Sequence, residues 1–352
     1  MSPIEPRSYR IESQAPVASR LIFIYLVTAL FLCANAGAAG YYDPAGSLTS
    51  TNLRAALHAL IRGHTVIPYS SSSFDTSDAL KVLDEDPSNT NNVILLYARR
   101  SAAKDSFGTS TGWNREHMWP NSYGIDDRHP AYSDLHNLRA EDMDVNSARG
   151  NKYYDRSDTN QPSYTFPAHA EAQMCSTDYD SWEPPDVVKG DIARAMFYMD
   201  VRYEGDTGTE PDLKLIGLGP ITATNSHMGH LVTLLKWHEL DPVDDAERQR
   251  NEKVFQRYQH NRNPFVDHPE WVREIFWPRL QMSLVAVDID GSLYLSFTSP
   301  LEFGNAMLQT SFGVPLVWVD LAPGIPLEDA LHYMVRGASP SQYFRLRLVS
   351  LP

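Results

Sequence analysis

Three short segments concentrate carboxylate, imidazole, amide and guanidinium groups within about forty residues of each other. They are Trp113–Pro120, Ser133–Arg139 and Val145–Lys152. An ordinary hydrophobic core does not gather so many polar side chains, because each would have to be buried with a partner. These segments therefore form the candidate site, and the chemistry of their residues indicates what that site does.

Glu116 and His117 carry the groups that phosphodiester hydrolysis needs. A water must lose a proton, negative charge on phosphorus must be stabilised, and the leaving oxygen must be neutralised. A histidine accepts a proton near neutral pH, and one divalent ion with oxygen ligands performs the other two tasks. The adjacency of Glu and His is a weak signal by itself, since a lone histidine is more often a hydrogen-bonded structural residue.

Secondary structure must bring these groups together. Neighbouring side chains on a strand point to opposite faces, so Glu116 and His117 serve one phosphate only if the strand bends or ends there. Pro120 is consistent with such an ending. Asn146 and Arg149 are spaced as on one helix face. The Asn146 amide oxygen is a potential metal ligand, and Arg149 either pairs bidentately with phosphate or forms a structural salt bridge.

Other catalytic classes have no motif in this sequence. It contains no H-E-x-x-H, no C-x-x-C, no Walker loop and no G-x-S-x-G, so histidine-rich zinc sites and serine triads are unsupported. A local basic cluster, Arg99, Arg100, Lys104 and Arg115, either contacts phosphate or lies in a solvated loop.

The first 38 residues have the pattern of a secretory signal peptide. Arginines precede the apolar run at 21–32, and small residues follow, with A-x-A frames that place cleavage after Ala36 or Ala38. The alternative is an uncleaved anchor helix, but the run is short for a bilayer span, which needs roughly 20 apolar residues. We therefore expect an exported protein, secreted or periplasmic, without a stable membrane anchor.

Cysteine content and charge limit the remaining alternatives. Cleavage would remove Cys33 and leave Cys175 as the only cysteine, so we expect no intrachain disulfide and a structural role for Cys175. The formal net charge of -14 argues against a protein that coats nucleic acid through an overall basic field. It does not argue against a nuclease with a local basic cleft.

Apolar periodicity predicts an α+β chain with two parts. We expect helices at 51–62, 186–203, 230–239, 244–259 and 270–276, and a buried strand at 93–97. The stripe Val188, Ile192, Met196, Met199 and Tyr203 is typical of core. From residue 284 onward the sequence is typical of strands, at 284–290, 292–297, 314–319 and 343–349. This pattern predicts a small antiparallel all-β module, sandwich-like, at 284–352.

The three segments, together with Asn261–Phe265, resemble the bacterial endonuclease I family of secreted and periplasmic nucleases, whose site is a ββα-metal (His-Me) finger. The likeness runs from about Tyr41 to Trp277. It implies a mixed helical nuclease domain at 39–280, and the C-terminal module lies outside it.

The resemblance implies a role for each residue of the site. His117 would be the general base, and Glu116 and Asn146 the ligands of Mg²⁺, with Ca²⁺ or Mn²⁺ as alternatives. By its order in the chain, Arg128 is the candidate for the arginine that stabilises the product phosphate. The residues assigned to substrate contact or support are Arg115, Asp134, His136, Asn137, Arg149 and Asn151; His136 and Asn137 would brace the finger, and Asp134 would fix His136 or its turn.

The resemblance implies sequence-nonspecific endonuclease cleavage of DNA, RNA or both that leaves 5′-phosphate ends, and we expect the protein to be a monomer. The alternatives are an extracellular ribonuclease on the same scaffold and a non-catalytic nucleic-acid-binding protein.

Overall fold

A computed structural model of the chain describes residues 40–205, 208, 210–216 and 226–276, together with the backbone of six strands between residues 283 and 350. The expected signal peptide at 1–38 and most of the expected strand at 314–319 lie outside the described residues. No described helix has the length and apolar content that crossing a bilayer requires.

The described helices follow the apolar periodicity of the sequence. They are α1 (Ser50–Ile61), α2 (Thr76–Leu83), α3 (Met143–Arg149), α4 (Lys189–Arg202), α5 (Leu231–Leu240), α6 (Asp245–Arg257), α7 (Pro264–Asp267) and α8 (Trp271–Phe276). All five predicted helices are confirmed, with ends shifted by a few residues. The largest shift is at α4, where Asp186–Val188 forms a 3₁₀ turn before the α-helix begins.

Short strands surround these helices. One antiparallel sheet contains β1 (Glu85–Asp86), β2 (Asn89–Ile94) and β3 (Ser101–Ala103), and β4 (Trp113–His117) pairs with β5 (Leu138–Asp142). A third sheet has the order β6 (Tyr153–Tyr154), β8 (Ser181–Glu183) and β7 (Ser176–Thr177), and β9 (Lys214–Leu215) pairs with β10 (His227–Met228). The strand predicted at 93–97 starts earlier and ends at Ile94, because the chain then turns so that the Tyr97 amide donates to the Glu141 carboxylate.

The central helix is α4, which packs against α1, α5 and α7. Its predicted apolar stripe is buried, as expected. Its polar residues are buried too, because each has a charged partner: Arg194 pairs with Glu247 at 2.6 Å, and Asp200 with Arg54. The helix is therefore enclosed by the fold on all sides rather than lying at its surface.

The antiparallel pair β4–β5 leads directly into α3. On one face, Trp113, Leu138 and Ala140 pack into the core against α2 and β2. Asp142 ends β5 and caps α3, since its carboxylate accepts hydrogen bonds from the first-turn amides at 2.9 and 3.2 Å. Gly150 ends α3 with φ of 59°, a conformation that glycine adopts without steric cost. This strand–strand–helix unit holds the candidate site.

The C-terminal strands form two antiparallel sheets of three strands. They are β11 (Ser283–Ile289), β12 (Ser292–Thr298) and β15 (Leu331–Arg336) in one, and β14 (Val319–Pro326), β13 (Asn305–Phe312) and β16 (Gln342–Ser350) in the other. The described parts of this region are strands, and the mixed helix and strand content of the described residues agrees with the expected α+β class; the all-β module at 284–352 stays a prediction. Three strands were missed, β13, β14 and β15; of these only β14 shares a residue, Val319, with an expected strand. The packing of the two sheets as a sandwich stays a prediction.

Candidate active site

Glu116 is a buried carboxylate with one oxygen already engaged. Its side chain is 2% exposed, and Oε1 accepts hydrogen bonds from the Tyr97 hydroxyl at 2.6 Å and from Arg149 Nη1 at 2.9 Å. No described residue donates to Oε2. Burial raises the pKa of Glu116 above its usual range, although Arg149 and Tyr97 oppose this. A cation beside Oε2 would further stabilise the ionised carboxylate of Glu116.

Two phenols fix the orientation of this carboxylate. The Tyr97 and Tyr154 hydroxyl oxygens are 2.6 Å apart. Because the Tyr97 proton is directed to Glu116, Tyr154 donates to Tyr97, and the two hydroxyls form a chain that ends on Oε1. Both residues escaped the sequence analysis: Tyr97 was assigned only to a buried strand, and its distance in sequence from Glu116 gives no local signal.

Arg149 lies beneath the site and is fully enclosed. Its side chain donates to Glu116 and to the carbonyl oxygens of His117 and Met118, each at 2.9 Å, and stacks over the Tyr154 ring at 4.6 Å. The guanidinium has no exposed surface. Of the two roles considered from sequence, this geometry is that of the structural salt bridge, and a phosphate has no access to it.

His117 ends β4, as expected from the proline that follows. Its Nε2 lies 2.8 Å from the Tyr132 carbonyl oxygen. A carbonyl only accepts, so Nε2 carries the proton and the lone pair is on Nδ1. Among the described residues, none donates to Nδ1. Burial lowers the pKa of His117 to about 4, so the imidazole is neutral at pH 7.

Aromatic rings hold the imidazole plane. Tyr69 stacks on His117 with centroids 5.5 Å apart and an interplanar angle of 16°, and Tyr132 lies at 4.9 Å. Arg115, expected to contact substrate or give support, lies 3.9 Å over the Tyr69 ring and donates to the Tyr69 carbonyl. Its position is therefore that of a support for Tyr69. The sequence analysis missed Tyr69, which comes from the distant α1–α2 connection.

Asn146 projects from α3 toward β4, as its helical spacing predicted. Its amide nitrogen donates to Asn114 Oδ1 at 2.7 Å and to the Arg115 carbonyl at 3.2 Å. Both N–H groups are thus occupied, and Oδ1 accepts no hydrogen bond from a described residue. Asn114, which lies in the first polar segment, orients the Asn146 amide; no local pattern in the sequence indicates this role.

Three atoms of this unit consequently remain without a described partner: Glu116 Oε2, Asn146 Oδ1 and His117 Nδ1. We call them the open atoms. The first two are a carboxylate and an amide oxygen, which are the donor types that Mg²⁺ prefers, and this ion needs only one or two protein ligands. Within the described residues there is no group of three or more His, Cys, Asp and Glu side chains suited to a metal ion.

Asn137 braces the chain that follows β4. Its side-chain Oδ1 accepts from the Trp119 amide at 2.7 Å, and its Nδ2 donates to the Trp119 carbonyl at 3.1 Å. Its own carbonyl accepts from the Met118 amide at 3.0 Å. This clamp fixes the exit of the strand that carries Glu116 and His117.

Asp134 and His136 lie behind this clamp. Asp134 accepts four hydrogen bonds, from the Tyr198 and Tyr203 hydroxyls, the His136 amide and Gln259. These donors and nearby histidines overcome burial and hold the pKa of Asp134 at about 2. The His136 ring packs on Tyr198 at 4.6 Å, and its Nε2, without a described partner, lines a cavity of about 30 Å³, enough for a water.

The last two expected site residues are at the surface. Arg128 has a side chain that is 81% exposed and forms a bidentate ion pair with Asp126 at 2.7 and 2.6 Å. Asn151 is exposed and lies 3.3 Å from the Ser122 hydroxyl. In the basic cluster, Arg100 and Lys104 pair with Asp142 and Glu85.

Cys175 is buried, with Sγ 3.9 Å from the Tyr97 carbonyl oxygen, and burial raises the pKa of its thiol. A thiol in this state is a poor nucleophile.

The chain is similar to known proteins over the region that contains this site. Residues 49–270 match the model of the family described as Endonuclease I. The extracellular ribonuclease of Bacillus subtilis (strain 168) is 48% identical over 241 residues, which are 68% of this chain and 78% of that protein. The extracellular ribonuclease of Bacillus amyloliquefaciens is 48% identical over 240 residues, 67% of this chain and 78% of that protein. No solved structure matches the chain.

These similarities confirm two expectations from sequence, the family resemblance and the location outside the cell. The names of both relatives place them outside the cell, as expected for a secreted protein. The match covers all three polar segments and the strand–strand–helix unit that unites them. The chain belongs to the endonuclease I family, and it is a nuclease.

Proposed function

We propose that the protein is a metal-dependent endonuclease that hydrolyses DNA and RNA without sequence preference, with His117 as the general base. The observation that carries this proposal is the hydrogen bond from His117 Nε2 to the Tyr132 carbonyl. It assigns the proton to Nε2 and leaves the Nδ1 lone pair available in a neutral ring. A general base requires that state before the reaction begins.

His117 acts on the attacking water. Nδ1 accepts a proton as the water oxygen approaches phosphorus, and the Tyr132 carbonyl stabilises the imidazolium that forms through Nε2–H. Tyr69 keeps the ring plane fixed, so Nδ1 is already aimed when the substrate binds. Attack opposite the 3′-oxygen would leave the phosphate on the 5′ end of the downstream fragment.

Glu116 and Asn146 would hold the divalent ion through two of the open atoms, in a ββα-metal finger made of β4, β5 and α3. Mg²⁺ is the expected ion, with Ca²⁺ or Mn²⁺ as alternatives. When bound, the ion supplies positive charge beside the scissile phosphate and the leaving oxygen. Arg149 and Tyr97 orient Glu116 for this task through their hydrogen bonds to Oε1. Asn114 orients Asn146 in the same way, by accepting a hydrogen bond from its amide.

Arg128 is the proposed contact of the product phosphate. Its side chain is exposed and bonded to Asp126 at the surface, so a phosphate can replace that carboxylate as its bidentate partner. Asn151, also exposed, is proposed as a neighbouring substrate contact. Contacts of this kind are to the nucleic-acid backbone, which carries no base information, and this agrees with cleavage that ignores sequence.

A second candidate is a ribonuclease on the same scaffold. The names of the two relatives favour it, since both are ribonucleases. We further propose that residues 39–280 form the nuclease domain of a monomer, with 284–352 as an accessory module.

Cleavage of supercoiled DNA and of structured RNA, each with Mg²⁺, Ca²⁺, Mn²⁺ or chelator, tests the proposal. We expect cleavage of both substrates with Mg²⁺ and none with chelator, and 5′-phosphate ends that a ligase joins directly. Cleavage of RNA alone would support the second candidate. Full activity in chelator would contradict metal dependence.

A further inference from the structure

Exposed apolar side chains are unevenly distributed over the described surface. Seven large ones are exposed, and four of them fall within a short segment after β6: Phe166, Met174, Tyr179 and Val187, with exposed fractions of 55 to 80%. The other three are scattered at Val66, Phe74 and Leu240. Two of the four, Phe166 and Met174, line the same groove, and apolar side chains exposed together mark a binding site more often than isolated ones do.

Phe166 and Met174 line a groove of about 250 Å³, which we call the apolar groove. The half-buried Tyr164 ring contributes a second aromatic wall, and Glu183, Asp186 and Lys189 form its polar part. Ligand pockets are roughly 300–1,000 Å³, so this volume suits one planar ring system rather than a duplex or a folded peptide.

The charges of the apolar groove select against a phosphate. Lys189 Nζ is engaged by Glu183 Oε1 at 2.8 Å and by Asp186 Oδ1 at 2.7 Å. Two carboxylates thus face one cation, and the Asp186 side chain is 92% exposed at the rim. A phosphate would be repelled, whereas a nucleobase is neutral and its amino groups donate to carboxylates.

The apolar groove is built on the sheet that supports the active site. Its residues Ser176 and Glu183 pair across β7 and β8. The neighbouring Trp182 packs edge-on against Tyr97 at 5.5 Å, and Tyr97 donates to Glu116. The groove and the candidate active site are therefore connected through one set of packed residues, Trp182, Tyr97 and Glu116.

We propose that the apolar groove binds an unpaired nucleobase of the strand being cut, stacked on Phe166. This inference rests on the proposed function, because it takes the substrate strand to be held at Glu116 and His117. Stacking accepts any base, since every base has a π face, so the groove adds affinity without sequence preference. Bases of a duplex are already stacked and paired, so the groove would favour single-stranded segments.

The test is binding without turnover. Fluorescence anisotropy in chelator compares a short labelled single strand with the corresponding duplex, for the wild type and for Phe166→Ser/Met174→Ser. The control is Leu240→Ser, which removes an apolar side chain of similar exposure, 63%, on a different helix. We expect about tenfold weaker single-strand binding for the double variant, the loss of roughly one base stack, and less than a twofold change for the duplex or for the control.

Turnover assays then separate this proposal from the proposed function. The double variant should lose more activity on single-stranded oligomers than on a small phosphodiester that has no flanking bases. If the wild type shows no metal-dependent cleavage, the proposed function is refuted, whereas the result of the binding assay still stands.

Three results would overturn the groove assignment. The first is unchanged single-strand affinity. The second is an equal loss for single strand and duplex. The third is a change of oligomeric state in the double variant, measured by sedimentation, which would mean that a second copy of the chain covers the apolar groove.

Discussion

At the scale of single residues, the site depends on which atoms are already bonded. Glu116 uses Oε1 for two donors, Asn146 uses its amide nitrogen, and His117 uses Nε2. The remaining atom of each group is left for substrate, water or ion. The residues bonded to the first atom of each group, such as Tyr97, Arg149 and Asn114, hold its orientation.

Tyr97 provides the clearest test of this arrangement. Tyr97→Phe removes the hydroxyl that donates to Glu116 and leaves the ring in place. We expect the apparent affinity for Mg²⁺, measured by titrating the ion in a cleavage assay, to fall about 10- to 100-fold, as for other residues that orient a metal ligand. The matched control is Tyr198→Phe, which removes an equally buried hydroxyl from Asp134. That variant should lose about 1.5–3 kcal/mol of stability, since its hydroxyl donates to a charged group, and keep its Mg²⁺ affinity; an equal drop in Mg²⁺ affinity in both variants would show a general packing effect.

Arg128 belongs to the same scale. If it exchanges Asp126 for the product phosphate, Arg128→Ala should reduce kcat about tenfold or more, less than the 10²- to 10³-fold typical of a fully preorganised donor. Arg248→Ala is the control, because Arg248 is also a surface arginine paired with an aspartate. Equal kcat for the two variants would remove Arg128 from the proposed site.

At the scale of elements, β4, β5 and α3 convert a sequence motif into a site. The strand ends at His117, so two side chains that leave a strand on opposite faces both lie at its tip. The helix follows at once because Asp142 caps it, and Asn146 is consequently held against β4. Asn137 fixes the next turn of chain by clamping Trp119.

This unit was largely predictable from sequence, whereas its supports were not. Two local signals predict it: the helical spacing of Asn146 and Arg149, and the strand end before Pro120. The apolar stripe of α4 likewise predicts which apolar residues of that helix are buried. Tyr69, Tyr97 and Tyr154 have no such signal, since each reaches the site through a contact between residues far apart in the chain. The sequence also left Arg149 between two roles, and only its burial separates them.

Acid stability tests the packing behind the unit. In the folded chain the pKa of the fully buried Asp134 is about 2, below its ordinary value near 4. The carboxylate thus contributes stability above pH 4, and this contribution, about 2–3 kcal/mol, is lost as the pH falls from about 4 to 2. Burial also lowers the pKa of His136 to about 4. This histidine therefore adds a further loss of stability, which begins as the pH falls below about 6.5.

Urea unfolding at a series of pH values measures this effect. We expect Asp134→Asn to be less stable than the wild type at pH 7 and to lose the part of the pH dependence between about 4 and 2. The same slope in both proteins over that interval would show that Asp134 is not the group responsible.

At the scale of the whole molecule, an acidic protein must bind a polyanion. The net charge is -14, and much of the basic cluster beside the site is paired internally, as at Arg100 and Lys104. Overall charge therefore opposes association, and affinity must come from local contacts and, under the proposed function, from a divalent ion.

The effect of Mg²⁺ on the stability of the fold tests this view. Mg²⁺ at about 100 times its dissociation constant should stabilise the fold by about 2.7 kcal/mol, seen as a higher melting temperature than in chelator. Glu116→Gln removes the charged ligand while keeping the shape of the side chain, and it should largely abolish that increase. An undiminished increase in Glu116→Gln would place the ion elsewhere.

The most direct test of the central claim is the cleavage rate of His117→Ala in saturating Mg²⁺, with circular dichroism to confirm that the fold is retained. Without the general base we expect a loss of about 10³-fold on both DNA and RNA, with substrate binding in chelator largely unchanged and partial recovery on adding imidazole. A His117→Ala variant that keeps the activity of the wild type would contradict the assignment of His117 as the base, and with it the proposed mechanism.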